Sequence, residues 1–455
     1  MRLLKIWPGY DSYRRLRNRG VFSASPPMVL AGGFSVLILI GALLLCLPFA
    51  ANEPLGFFTA LFTATSAVTV TGLSMLGPDV HLEPFGYIVV AALVQIGGLG
   101  FVTLTVVAAL TLGKKVSLQY QTVALEAFDQ TSVSKIRSTA FLVFKLTAVI
   151  EIMGILILTA WWTPVSGFFN ALPDAIFHTV MAFNNGGMSL PATNMALHLG
   201  DPITVLATTA LIILGGLGFS VIHDVRRKRQ WRLLAPYTRM ILLATLFLNL
   251  AGFFLIWAFE SSNPDTLGGL SGHAQALTAW LQSVASRTAG FHSLDLTYLH
   301  DETTLVLMLL MFIGGGSLST ASGIKVGTFV VLLVAAWSYI RGRREVVLLR
   351  RTVSPDVVQK SLALLLLTSA LAFIATLLMC FLEKAHFIDV LFEVISALST
   401  TGASRNLTPG LSTPSHILLI MLMFVGRVGP LTLIYSLSTQ GYSRVRHPEA
   451  HFHVG

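Results

Sequence analysis

Four short segments, roughly 100 to 115 residues apart, each end in a glycine set beside hydroxyl or amide side chains. They are Val70-Thr71-Gly72, Asn185-Gly186-Gly187, Thr288-Ala289-Gly290 and Thr400-Thr401-Gly402. The chemistry open to such segments is replacement of a cation's hydration shell, because backbone carbonyls from several converging loops can take over from water without carrying a full charge. Glycine suits that role, since it reaches backbone angles that aim successive carbonyls one way and leaves an aperture unobstructed. None of the four segments contains Asp or Glu, so a divalent cation, which would want carboxylate ligands, fits less well than K+ or a similar monovalent ion.

Each glycine follows a short amphipathic stretch: Glu53 to Val68, Leu172 to Phe183, His273 to Ala285 and Phe387 to Leu398. An aromatic residue, Phe62, Phe177, Trp280 or Phe392, stands ten positions before the glycine. These stretches are too short to cross a bilayer as helices, which takes about 20 residues, but long enough to dip in and return. A helix whose C-terminal end points at the loop adds the negative end of its dipole, which attracts cations.

Apolar runs long enough to span can be read at 29–49, 86–112, 139–162, 203–223, 240–260, 304–338, 361–382 and 415–437. With 54% hydrophobic and 11% charged residues and a mean hydropathy of +0.75, the 455-residue chain is too apolar for a soluble protein. The expected fold is therefore an all-α membrane protein of eight transmembrane helices, arranged as four parallel helix–pore loop–helix repeats around a central pore. The repeats are read at 29–113, 139–225, 240–340 and 361–440, between an N-terminal segment, 1–28, and a tail, 441–455.

The formal charge of +9 is concentrated in blocks: Arg2 to Arg19, Lys114 to Lys145, Arg226 to Arg239, Arg341 to Lys360, and Arg444 with Arg446. Windows 31–113 and 146–225 contain no Lys or Arg. Blocks separated by two spans each time follow the positive-inside rule and place both termini in the cytoplasm. Each block abuts a span, which argues against nucleic-acid binding. Cys46 and Cys380 fall within spans and suggest neither a disulfide framework nor a thiolate metal site. The first apolar run lacks a signal-peptide cleavage pattern and reads as a retained anchor.

Gly97-Gly98-Leu99-Gly100 and Gly215-Gly216-Leu217-Gly218 recur in two spans, with the looser Gly426-Arg427-Val428-Gly429 in the last. These glycines read as packing residues that let backbones approach closely. The long run 304–338 is interrupted by Gly314, Gly315, Gly316, Ser317, Leu318, Ser319, Thr320, Ala321, Ser322 and Gly323. Irregular backbone at membrane depth survives only inside protein or beside water. It reads as a movable obstruction beneath the four loops, or as a static kink, with Lys325 anchoring it through an ion pair or by capping carbonyls.

Two arginines bear on the same region. Arg287 precedes the third glycine; a guanidinium facing a cation would repel it, so its side chain is expected behind the loop. Arg427, in the last span, either faces the cavity as a barrier to cations or pairs with Glu151 or Glu393. GxxxxGK[ST], HExxH, GxSxG and CxxC patterns are all missing from the sequence, so no enzymatic centre is indicated.

Taken together, the four glycine segments, the Gly314 to Lys325 stretch and Gly426 to Pro430 resemble the Ktr/Trk/HKT superfamily of potassium transport proteins, most closely its KtrB type, over about residues 20–440. The resemblance implies a homodimer with one K+ pore per subunit and the filter at Gly72, Gly187, Gly290 and Gly402. It also implies an intramembrane gate at Gly314 to Gly323, with Arg427 at the constriction. It further implies residence in the cell inner membrane, Na+-dependent uptake, and regulation by a cytosolic nucleotide-binding ring of KtrA type. The second loop departs from the pattern: the extra Gly186 is expected to loosen it and lower discrimination of K+ from Na+. The rival reading is a secondary cation transporter with alternating access, whose broken helices and repeats look similar.

Overall fold

The computed structural model describes residues 26–76, 80–100, 133–190, 195–343 and 345–429. The basic blocks Arg2 to Arg19 and Arg444 with Arg446, Asp79, Pro430, the tail 441–455 and the ends of the expected spans 86–112 and 415–437 lie outside the described residues.

Helices α1 (Pro26–Leu45), α2 (Phe57–Val68) and α3 (Pro84–Leu99) come first, followed by α4 (Val133–Ser166), α5 (Phe168–Asn184), α6 (Pro202–Leu217) and α7 (Phe219–Lys228). Then come α8 (Pro236–Glu260), α9 (Gly272–Ala285), α10 (Asp301–Phe312) and α11 (Val326–Ile340). Last are α12 (Pro355–Leu382), α13 (Phe387–Leu398) and α14 (Thr413–Val428), with a two-residue antiparallel pair, Val347–Leu348 against Arg351–Thr352, before α12. Proline stands in the first turn of α3, α6, α8, α12 and α14, where a missing N–H costs nothing and a fixed φ favours helix. Asp201 caps α6 by accepting from the amides of Ile203 and Thr204.

The packing is inside-out relative to a protein in water. Apolar side chains such as Leu156, Phe247, Phe373 and Leu377 project outward from α4, α8 and α12, while Thr204, Thr278, Asn184 and Glu393 are buried. Lipid tolerates the first group and cannot hydrogen-bond the second. Among the described residues, three helices are long and apolar enough to cross a membrane, Ala140–Ser166, Pro236–Glu260 and Pro355–Leu382, and the bent pair α6–α7 makes a fourth if counted as one span.

The other apolar helices among the described residues are shorter than a span, and for three of them the reason is visible at their ends. Gly100, Gly218 and Gly429 terminate α3, α6 and α14 with φ of 80°, 97° and 93°, extended left-handed geometry open only to glycine. At Gly218 the chain turns by 98° into α7, so the expected straight span 203–223 is in fact broken. The freed amide of Phe219 bonds Leu318 O, 2.9 Å away, in place of a helical partner. The run 304–338 is likewise two helices, α10 and α11, separated by an irregular segment.

Short helices pack inside the longer ones: α2 on α1 and α3, α5 on α4 and α6, α9 on α8, and α13 on α12 and α14. The groups also touch in turn. Helix α3 meets α5, α6 meets α9, α10 meets α13, and α14 meets α2, which closes the circuit.

Candidate functional site: a ring of four loops above an intramembrane segment

Helices α2, α5, α9 and α13 each deliver their C-terminal end to one glycine segment, and the backbone there repeats. The residue two before each glycine is left-handed: Val70 (φ 57°), Asn185 (63°), Thr288 (68°) and Thr400 (50°). The glycines follow suit at 97° for Gly72, 67° for Gly187, 72° for Gly290 and 85° for Gly402. Positive φ is costly for β-branched Val and Thr, so three of the four loops carry strain that their surroundings must hold.

Local hydrogen bonds do much of that holding. The amides of Thr71, Gly186 and Thr401 bond Ser66 O (2.8 Å), Met181 O (2.7 Å) and Ser396 O (2.8 Å), and Gly290 N bonds Ala285 O at 3.0 Å. With these N–H groups turned back onto the helix ends, the loops have carbonyls left to offer. Hydroxyls stiffen the first and fourth loops: Thr69 Oγ1 lies 2.7 Å from Thr71 Oγ1, and Ser399 Oγ 3.0 Å from Thr401 Oγ1.

The glycines show how the loops meet. A methyl group added at Gly72 would stand 2.7 Å from Gly186 O, and one at Gly187 would stand 2.8 Å from Ala289 O. At Gly290 it would overlap Thr401 O, and at Gly402 it would overlap Thr71 O. Each glycine therefore lies against the carbonyl of the residue just before the next glycine, and the fourth returns to the first. This closed ring brings all twelve sequence-derived residues, Val70 to Gly72, Asn185 to Gly187, Thr288 to Gly290 and Thr400 to Gly402, to one place. Gly186 makes the same helix-end bond as Thr71 and Thr401, and the slot its side chain would take is filled by Met181 Sδ and Val94 Cγ1.

Beneath the ring, Gly97, Gly215 and Gly426 press against the helix-end carbonyls of Val68, Phe183 and Leu398, where a Cβ would overlap. Their packing role follows from that approach. The last glycine of each motif, Gly100, Gly218 or Gly429, ends its helix instead. Its position three residues past the packing glycine was the signal available in the sequence.

The Gly314 to Gly323 segment is tied to many neighbours. Gly316 N and Thr320 N bond Gly216 O (2.8 Å) and Gly215 O (3.2 Å), and Ser317 N bonds Tyr237 Oη at 3.1 Å. Ser319 Oγ turns back to Gly316 O, 2.7 Å, and Gly314 N pairs with Ile324 O, 2.8 Å, at the base. Lys325 Nζ caps Ala321 O at 2.6 Å, the second of the two roles open to it.

Arg427 clamps the segment from α14. It donates to Thr320 O (2.6 Å), Ser322 Oγ (2.9 Å) and Gly98 O (3.2 Å), and also to Gly97 O. It lines a cavity of about 710 Å³ together with Gly98, Ser319, Ser322, Lys325 and Asp224. Neither Glu151, which accepts from Gln95 and Asn184, nor Glu393, which accepts from Ser404 and Thr408, partners it. Arg287 lies behind the third loop, donating to Asn249 Oδ1 and Gly314 O, both at 3.0 Å. Asn249, a buried amide in the middle of α8, is a partner that spacing alone did not flag.

Comparisons with known proteins bear on the arrangement. Residues 23–441 match the family model described as TrkH, cation transport protein. The chain is 39% identical to the Ktr system potassium uptake protein B of Bacillus subtilis, over 95% of this chain and 97% of that protein. It is also 39% identical to the protein of the same name from Vibrio alginolyticus, covering 96% and 98%. The potassium/sodium uptake protein NtpJ of Enterococcus hirae is 32% identical, covering 97% and 99%. Among solved structures, the potassium transporter TrkH from Vibrio parahaemolyticus superposes with a TM-score of 0.71 over 92% of this chain and 86% of that one, at 19% identity.

Proposed function

Since the chain belongs to the TrkH family of cation transport proteins, we propose that it carries potassium ions into the cell through a gated pore whose filter is the four-loop ring. The supporting observation is the ring's closure: Gly72 on Gly186 O, Gly187 on Ala289 O, Gly290 on Thr401 O and Gly402 on Thr71 O. Carbonyls brought together in this way, at the C-terminal ends of four helices, offer an ion oxygen ligands and negative dipole ends in place of water.

In this reading 29–113, 139–225, 240–340 and 361–440 are four repeats, with eight helices around one axis in the cell inner membrane and both termini in the cytoplasm. The Gly314 to Gly323 segment, Lys325 and Arg427 form the gate below the filter. Arg427 would hold the gate shut by hydrogen bonds and oppose cation passage by its charge. Two copies associate, and a cytosolic nucleotide-binding ring of KtrA type acts on the gate; the potassium uptake relatives named as one protein of a Ktr system support a multi-component assembly. Uptake depends on Na+, a reading supported by the Enterococcus relative's name as a potassium/sodium uptake protein.

Replacing Gly290 by Ser tests the filter. Its side chain would overlap Thr401 O at φ 72°. In cells lacking their own K+ uptake systems, the ratio of K+ to Na+ uptake falls about tenfold, equivalent to ~1.4 kcal/mol, at unchanged amounts of protein in the membrane. An unaltered ratio would remove the filter assignment.

A further inference from the structure

We infer that Thr320 of the intramembrane segment is a specificity-determining residue: through Phe183 it helps to set the second filter loop, so selectivity depends on where the segment sits. The inference rests on the filter and gate readings above and adds a connection between them.

Thr320 is buried, and its Oγ1 donates to Phe183 O over 3.0 Å. Phe183 stands in the last turn of α5, directly before Asn184 and the left-handed Asn185. Carbonyls at a helix C-terminus have no intrahelical donor, so an outside hydroxyl there fixes the end of the helix and the direction in which the chain leaves it. The corresponding carbonyls of α2 and α13, Val68 and Leu398, face Gly97 and Gly426, which have no side chain to donate. At α5 the equivalent glycine is Gly215, and the hydroxyl comes from the segment, whose Thr320 N also bonds Gly215 O at 3.2 Å. The second loop passes its position on, because Asn185 Nδ2 reaches Thr288 Oγ1 at 3.4 Å in the third loop.

Ions pass when the segment swings aside at its Arg427 side while Thr320 keeps its seat on Phe183 O, so the conducting pore still has a held second loop. A buried acceptor that loses its donor is worse off than one that keeps it, so losing the Thr320 hydroxyl, or moving Thr320 itself, leaves Phe183 O to find water or to shift and relaxes that loop. The link is reciprocal by thermodynamic necessity: whatever stabilises the present form of the second loop also stabilises the present seat of the segment. Apart from Gly314 O, which accepts from Arg287 behind the third loop at 3.0 Å, the other bonds made by the segment's side chains end elsewhere. Ser322 Oγ meets Arg427, Ser319 Oγ meets Gly316 O, and Lys325 meets Ala321 O, none of them in the ring.

That difference separates coupling from simple loosening. Thr320→Val keeps the shape and removes the hydroxyl, Thr320→Ser keeps the hydroxyl, and Ser322→Ala weakens the segment's seat without touching α5. K+ and Na+ uptake and membrane abundance are measured for each in cells without their own K+ systems. Thr320→Val is expected to lower the K+ to Na+ ratio about threefold, with Thr320→Ser restoring it, while Ser322→Ala raises both fluxes together. A Thr320→Val protein with raised flux and the parent ratio overturns the coupling and leaves filter and gate standing. A parent ratio in both Thr320→Val and Gly290→Ser overturns the filter reading as well.

Discussion

The ring of loops and the segment beneath it are both irregular backbone at membrane depth, yet they are held in different ways. Each loop of the ring is fixed largely by the helix it leaves: Thr71 by Ser66, Gly186 by Met181, Thr401 by Ser396 and Gly290 by Ala285. The segment has no such helix of its own. Its bonds run to α5 through Phe183, to α6 through Gly215 and Gly216, to α8 through Tyr237, to Arg287 behind the third loop, and to α3 and α14 through Arg427. A structure tied to its own helix moves with that helix, whereas one tied to several neighbours can exchange those bonds for water and leave. This contrast is what a rigid filter above a movable gate needs.

The strongest way to break the contrast is to crowd the ring. Gly402→Ala puts a methyl group onto Thr71 O at φ 85°, so it meets both a left-handed penalty of ~1–2 kcal/mol and an overlap with backbone that has no rotamer to escape into. Its K+ to Na+ uptake ratio is expected to fall at least as far as that of Gly290→Ser, measured as uptake of each ion per amount of protein in the membrane. A normal ratio would show that the ring has slack its geometry does not suggest.

Removing residues 315–321 acts on the other partner. Several hydrogen bonds worth ~0.5–1.5 kcal/mol each disappear with the obstruction, so ion flux without any regulatory partner should rise about tenfold. Flux at the parent level in that deletion would return the segment to the status of a static kink.

The finest test lies inside the ring. Gly186→Ala adds a methyl facing Met181 Sδ at 2.9 Å and Val94 Cγ1 at 3.0 Å, atoms at side-chain ends rather than ring carbonyls. Its φ lies outside the left-handed region, so the expected change in the K+ to Na+ ratio is less than about twofold. A change as large as that of Gly402→Ala would mean that the second loop carries the selectivity by itself.

Much of the site was legible in the sequence because its elements are punctuated by residue type. Glycine at φ beyond +60° has few substitutes, so Gly72, Gly187, Gly290 and Gly402 marked their own positions, and the run Gly314 to Gly323 announced a break that apolar helix would not tolerate. The straight span expected at 203–223 failed for a related reason. Gly215, Gly216 and Gly218 look alike as letters, but only Gly218 adopts the helix-ending geometry, and its neighbour Phe219 finds its partner about a hundred residues away in Leu318. Arg427 shows the same limit, since whether it would meet a carboxylate or the carbonyls of Thr320 and Gly98 depended on how α14 packs.

By itself the sequence determined that this chain lives in a membrane, that four glycine-ended loops recur along it, and that one long apolar run is interrupted. Hydropathy, charge placement and glycine's backbone freedom are properties of residues and their neighbours, so they are readable one letter at a time. Only the tertiary structure decided that the loops close head to tail into a ring, that Arg287 reaches Gly314, and that Thr320 reaches Phe183. Those contacts join residues far apart in the chain, and hydrogen bonds of a few ångströms are set by how helices pack, which no local pattern encodes.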